Sequence, residues 1–244
     1  GNVHLLENNA YLPLAFLANS ELSDVDFSDI NNRFIFQNTL FSAATGISDT
    51  IWDILGYGCC SVHSEDVTIK TQTNYNFCSY SCGDEEGTLI YRYLSDRAGF
   101  MCVDLDLSKR NDFTVYKSGE ELYSESHSLP QMLSICDVNP GDVVEIHFEC
   151  KANEEGKIDV SAAILNEAVF RAGYASTLNL THFENTYVEG MIHCDRDGLL
   201  YASIPQNGNW SATVDGEPVE IQLVGDVMLG FPLTAGEHTV AFRY

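Results

Sequence analysis

The chain has 244 residues, 45% of them hydrophobic and 11% aromatic, enough to bury a sizeable core in one large or two small domains. Its 12 basic residues stand against 36 acidic ones, a net charge of −24. That field repels polyanions and anionic bilayers, which excludes nucleic acid as a partner and leaves solubility as the simplest use of the acidic surface.

The pattern along the chain divides into three zones. The first covers residues 2–56 and mixes short elements. "VHLLENNAYLPLAFLAN" is an extended apolar run that Pro13 keeps from becoming a long helix. "SDVDFSDINNRFIFQNTLFSAATG" reads as a helix with Phe34, Gln37, Leu40, Phe41 and Ala44 on one face. Ser28, Asp29, Asn31 and Asn32 are available as N-caps, and Gly46 stands at the C′ position.

The second zone, residues 57–164, is all β. In "DVVEIHFEC", Val144, Ile146, Phe148 and Cys150 alternate with Glu145, His147 and Glu149. "TLIYRYL", "FMCVDLDL", "FTVYKSG", "PQMLSIC" and "KIDVSAAIL" supply further strands between turn segments such as "SCGDEEG" and "NPGD". Many short strands at this spacing predict a two-layer, jelly-roll-like β-sandwich. The third zone, residues 165–244, opens with a short helix, "NEAVFRAGYAS", and continues as a small antiparallel β-domain. Its Asp215-Gly216 pair predicts a type I′ hairpin. The fold class is therefore mainly β: a sandwich, a smaller C-terminal β-domain and a short α-helical N-terminal segment.

The order of these segments is specific. "LPLAFLAN" and "FIFQNTLFSAATG" come first, then "VNPGDVVEIHF", then "GLLYASIPQNGNWSATVDGEPVE" and "GFPLTAGEHTVAFRY". Over nearly its whole length the chain resembles the C-terminal extracytoplasmic region of the YfhO family of bacterial polytopic membrane proteins. The resemblance implies a piece placed between transmembrane helices of a parent similar to GT-C glycosyltransferases. That parent would use lipid-linked sugars to glycosylate envelope polymers such as lipoteichoic acid. The catalytic acids would lie in the membrane part, so this piece is expected to be non-catalytic. Its implied role is to hold or position the glycan acceptor. Its implied partners are a cell-envelope glycan or lipid-linked sugar polymer and the parent's own transmembrane region. A structural or assembly domain and an independent carbohydrate-binding module are the alternatives. The start at Gly1 without a signal peptide and the end at Tyr244 on a strand fit an excised piece. Gln206 departs from the family pattern, standing where an aromatic residue is common.

Aromatic faces stack on pyranose rings while carboxylates and amides fix the hydroxyls. Trp52, Tyr91, Tyr93 and Trp210 are the foremost candidates for glycan contact, with Tyr80, Tyr116 and Tyr123 behind them; the competing role for each is core packing. Tyr91 and Tyr93 share a strand face and suggest a platform. Cys59, Cys60, Cys78 and Cys82 flank turn-rich sequence and are disulfide candidates. With His63 they offer a loose approximation to zinc spacing, whereas Cys102, Cys136 and Cys150 read as small buried hydrophobes. A structural calcium at Cys82–Gly87 is compatible with the acidic turn, which alone supplies too few ligands. Asp104 and Asp106 read as the wet face of a strand rather than an acid–base pair. His193, Cys194 and Asp195 alternate across a strand and make a poor ligand trio.

Overall fold

The computed structural model describes residues 12–73 and 76–244. β1 (Ala15–Ala18) is followed by a 3-10 turn (Ser20–Asp24) and α1 (Arg33–Thr45). Then come β2 (Trp52–Ile54), β3 (Cys60–Glu65), β4 (Val67–Thr73), β5 (Phe77–Cys82), β6 (Gly87–Leu94) and β7 (Gly99–Leu107). β8 (Asn111–Lys117), β9 (Glu120–His127), β10 (Gln131–Val138), β11 (Val143–Cys150) and β12 (Glu155–Leu165) complete this run. After α2 (Glu167–Gly173) the chain forms β13 (Asn179–Glu184), β14 (Tyr187–Cys194), β15 (Gly198–Pro205) and β16 (Ser211–Val214). It closes with β17 (Glu217–Val219), β18 (Gln222–Val224), β19 (Met228–Leu233) and β20 (Gly236–Arg243).

The chain forms two compact units. One contains Asn31–Ile35 and Trp52–Asn166; the other contains the chain up to Ile30, Phe36–Ile51 and Glu167–Tyr244. The first unit is a two-layer antiparallel sandwich. One layer has the order β10-β7-β12-β5-β4, with β2 added on β12; the other is β3-β6-β11-β8-β9. Alternation decides which side chains enter: Leu89, Tyr91 and Tyr93 of β6, Phe113 and Val115 of β8, and Val144, Ile146 and Phe148 of β11 are buried. They meet Met101, Val103, Leu105, Ile158, Val160 and Ala162 from the opposite layer. Each fully buried large side chain contributes about 1.5–3 kcal/mol.

Tyr91 and Tyr93 bring polar groups into this core. Each phenol reaches across the sandwich from β6 and donates to a β12 carbonyl: Tyr91 to Ile158 O at 3.0 Å and Tyr93 to Val160 O at 2.8 Å. Burial pushes both hydroxyls far above their ordinary pKa, so they remain donors at any physiological pH.

The expected N-terminal helix is present as α1, shorter than the stretch that carries its pattern. Asn32 is the cap that is used, its Oδ1 accepting from the backbone N–H of Phe34 and Ile35 at 3.0 Å each. Gly46 closes the helix at φ 75°, its N–H bonded to Ser42 O. Phe34, Phe41 and Ala44 are fully buried.

The second unit holds two antiparallel sheets, β1-β15-β19-β18 and β13-β14-β20-β16-β17. β1 pairs with β15, so this early segment completes a sheet made from the end of the chain. Leu200, Leu229, Phe231, Val240 and Phe242 are central to its core. Asp215 and Gly216 both take positive φ in the predicted hairpin between β16 and β17.

Removing only the hydroxyl of Tyr93 deletes a buried hydrogen bond to the Val160 carbonyl. Tyr93→Phe is therefore expected to lower the unfolding free energy by about 0.5–1.5 kcal/mol, read as a lower urea midpoint at unchanged m-value.

Candidate functional site: the polar face of the five-stranded layer

The outward residues of β3, β6, β11 and β8 fall in registered rows. One row runs Ser61, Arg92, Glu145, Tyr116; the next runs His63, Ile90, His147, Thr114 and reaches Ser124 of β9. With strands about 4.8 Å apart, four strands make a platform roughly 14 Å across. Its centre is an aromatic pair: the rings of Tyr116 and His147 lie 4.6 Å apart with planes 48° to each other. Glu145 ties the rows together, its Oε1 3.4 Å from Arg92 Nε and its Oε2 3.2 Å from His147 Nε2. Ser61 and His63 are joined at 3.0 Å, and Thr114 and Ser124 at 2.9 Å. Tyr116, Arg92, Glu145 and His147 are all half-buried. Aromatic faces, a carboxylate, a guanidinium and hydroxyls on a rigid sheet are the chemical equipment that recognises a polyol ring.

The foremost sequence candidates lie elsewhere. Tyr91 and Tyr93 are 0% exposed and present no ring face outward, which corrects the platform expectation: their strand face is the one shared with Leu89. Trp52 is buried against Phe34, ring centroids 5.1 Å apart, and is a packing residue of the sandwich unit. Trp210 is half-buried, packed on the core of the second unit and edge-on to Tyr244 at 5.2 Å. Tyr80 is buried, and its hydroxyl donates to Glu154 Oε1 at 3.0 Å. Tyr123 packs against the sandwich core from β9. Tyr116, the remaining aromatic, is the one in the exposed rows.

All eight cysteines are free thiols here. Cys60 faces the core and His63 the opposite side of β3, so the two cannot share a zinc ion. Among the described residues no group of three or more His, Cys, Asp or Glu is placed to hold a metal. The calcium suggestion thus reduces to Asp84, Glu85 and Glu86 on an exposed turn. His193 points outward to Glu237 at 2.7 Å while Cys194 points into the core, as their alternation requires. In the second unit an open cleft of about 560 Å³ is lined by Asp24, Asp26, Phe27 and Asp226. Asp26 there is occupied locally, accepting from Ser28 N–H at 2.9 Å.

The outer face of the other sandwich layer is differently built. Asp104 is buried, not wet: it accepts from the backbone N–H of Arg33 at 2.8 Å and pairs with the Arg33 guanidinium. Ser161 accepts from the Asn32 and Asn76 amides, 3.0 Å each. Asp106 stays exposed and lies directly opposite Asp159 in the β7–β12 ladder.

The profile of the family described as "Bacterial membrane protein YfhO" matches residues 1–244. The chain belongs to the YfhO family. Among curated proteins none matches it. Among solved structures it is similar to the family 11 carbohydrate-binding module of the cellulosomal cellulase Lic26A-Cel5E of Clostridium thermocellum. The identity is 16%, 47% of this chain and 94% of that one are covered, and the TM-score is 0.29. A cycloisomaltooligosaccharide glucanotransferase of Paenibacillus sp. aligns at 5% identity over 88% of this chain and 51% of that one, TM-score 0.28. A β-glucuronidase of Ruminococcus gnavus aligns at 15% over 64% and 30%, TM-score 0.25. In this YfhO-family chain no helix among the described residues is long and apolar enough to cross a membrane.

Asp159 gives this region a pH signature. Partial burial, and then the facing Asp106 and Asp104 carboxylates, raise its pKa above the ordinary aspartate range. A raised folded-state pKa means the native state holds the proton more tightly than the unfolded chain. The associated stability is present below the ordinary range and is lost as pH rises through the folded pKa. Asp159→Asn is therefore expected to stabilise the protein at pH 7 by roughly 0.2–1 kcal/mol and to flatten that decline, measured as melting temperature against pH.

Proposed function

We propose that this chain is a non-catalytic extracytoplasmic domain that holds a cell-envelope glycan for the membrane part of its parent, and that the Tyr116–His147 platform is the contact surface. The observation that carries this is the aromatic pair braced by Glu145 and Arg92 on a rigid sheet face. Membership of a bacterial membrane protein family supports the setting. The net charge of −24 selects within the class: it opposes a polyphosphate backbone and favours the sugar units of a polymer or of a lipid-linked donor. Lipoteichoic acid enters this reading through its sugar substituents.

The test is calorimetric titration of the chain with neutral oligosaccharides and, separately, with teichoic-acid fragments. Saturable binding of a neutral glycan is expected, weakened at least about tenfold by Tyr116→Ala and by His147→Ala, each with a melting temperature near that of the parent sequence. Failure of every glycan to bind, or binding indifferent to both substitutions, removes the assignment.

A further inference from the structure

Two turns meet at one end of the sandwich. The turn after β5 carries Gly83, whose carbonyl accepts from Asn153 N–H at 2.6 Å; the turn after β11 carries Glu154, whose carbonyl accepts from Cys82 N–H at 2.8 Å. Glu154 N–H closes the second turn on Lys151 O at 3.1 Å. These bonds bring the last residue of β5, Cys82, beside the last residue of β11, Cys150. The two strands belong to opposite layers, and both residues point into the same core cluster. Cys82 lies opposite Val67 in the β4–β5 ladder and Cys150 opposite Gly87 in the β6–β11 ladder, and a Cβ on Gly87 would stand 2.7 Å from Val67 Cγ2, so the two cysteines flank touching residues at the same end of the core.

The other cysteines have different surroundings. Cys102 lies opposite Ser134 in the β7–β10 ladder, Cys136 sits near Lys117 and Asp137, and Cys194 belongs to the other unit. Cys60 faces Tyr93, Cys59 is its immediate neighbour in the chain, and Cys78, four residues before Cys82 on β5, donates to Ser79 O at 3.7 Å.

We propose that Cys82 and Cys150 form a disulfide that staples the two layers of the sandwich. The oxidant is a small disulfide of the glutathione type. The Cys82 thiolate attacks one of its sulfurs, giving a mixed disulfide and one released small thiol. Cys150, losing its proton, then attacks Cys82 Sγ and releases the second small thiol. Two protein thiols are oxidised and one small disulfide is reduced to two thiols. Cys82 is the first nucleophile because it is the less buried of the two. Burial pushes the Cys150 thiol up to about 12, so the bond forms while the chain folds or opens locally, and exchanges slowly once the core has closed. The ring so formed encloses about 70 residues, including β6 to β10, a span at which the constraint on the unfolded chain is large. This inference does not depend on the glycan assignment.

The experiment compares the chain produced with oxidised glutathione and the chain produced under a thiol reductant. Unreduced peptide mapping after alkylation is expected to show the Cys82 and Cys150 peptides joined and lighter by two hydrogens. The oxidised form is expected to melt higher, on the order of 5–10 °C, and Cys150→Ser to abolish that difference while Cys59→Ser keeps it. Free, alkylated Cys82 and Cys150 in the oxidised preparation, or Cys82 joined to another cysteine, overturns the proposal. The mapping uses the unsubstituted chain, so it decides the matter even if a variant does not fold.

Discussion

The sandwich unit turns on two phenol-to-carbonyl bonds through its core. Tyr91 and Tyr93 sit two residues apart on β6, and Ile158 and Val160 two residues apart on β12, so the period of one strand matches that of the other. Hydrophobic burial is non-directional and would tolerate sliding of one layer over the other. These hydrogen bonds are directional, and a slip of one residue would leave two phenols without their acceptors in an apolar interior. They fix which side of β6 is inside. Arg92, between the two tyrosines, must then project outward.

That constraint propagates across the layer. β6 is bonded to β3 on one side and to β11 on the other, and β11 to β8. With the parity of β6 set, the ladder places Glu145 and Tyr116 on the same outer row as Arg92, and His147 on the row beside it. The platform is thus the reverse side of the core. Tyr116 and His147 owe their positions to Val115, Ile146 and Phe148, which anchor the same strands from within. A site built this way is preorganised, and a ligand meeting it has little side-chain ordering left to supply.

Much of this was legible in the sequence where alternation was strong. β11 and β6 show clean period-two patterns, α1 carries its cap and its C′ glycine, and the Asp215-Gly216 hairpin forms as its residues require. β3, β4, β9 and β13 carried little signal because polar residues occupy most of their positions, so their pairing leans on their neighbours. The early segment joins its sheet through β1, a contact across some 180 residues that no local pattern announces. The candidate site was harder still. Aromatic residues were legible by type, but type does not give the side. Parity did hold a clue: Tyr91 and Tyr93 fall with Leu89 and opposite Arg92, whereas Tyr116 falls opposite Phe113 and Val115. His147 was legible as an outward residue of β11, yet its contact with Tyr116 exists only through the β8–β11 register.

The charge distribution narrows what such a platform would hold. A chain at −24 repels a polyanion at long range, and salt weakens that repulsion only beyond about 8–10 Å. On the platform itself, Arg92 is paired with Glu145, so the cation facing a ligand is already neutralised and offers hydrogen-bond donors rather than net positive charge. Neutral hydroxyl groups lose nothing to that arrangement, since a carboxylate and a guanidinium side by side offer both an acceptor and a donor. A phosphate would have to compete with Glu145 for the same guanidinium. On the proposed platform the Arg92–Glu145 pairing would therefore favour neutral hydroxyls over a phosphate.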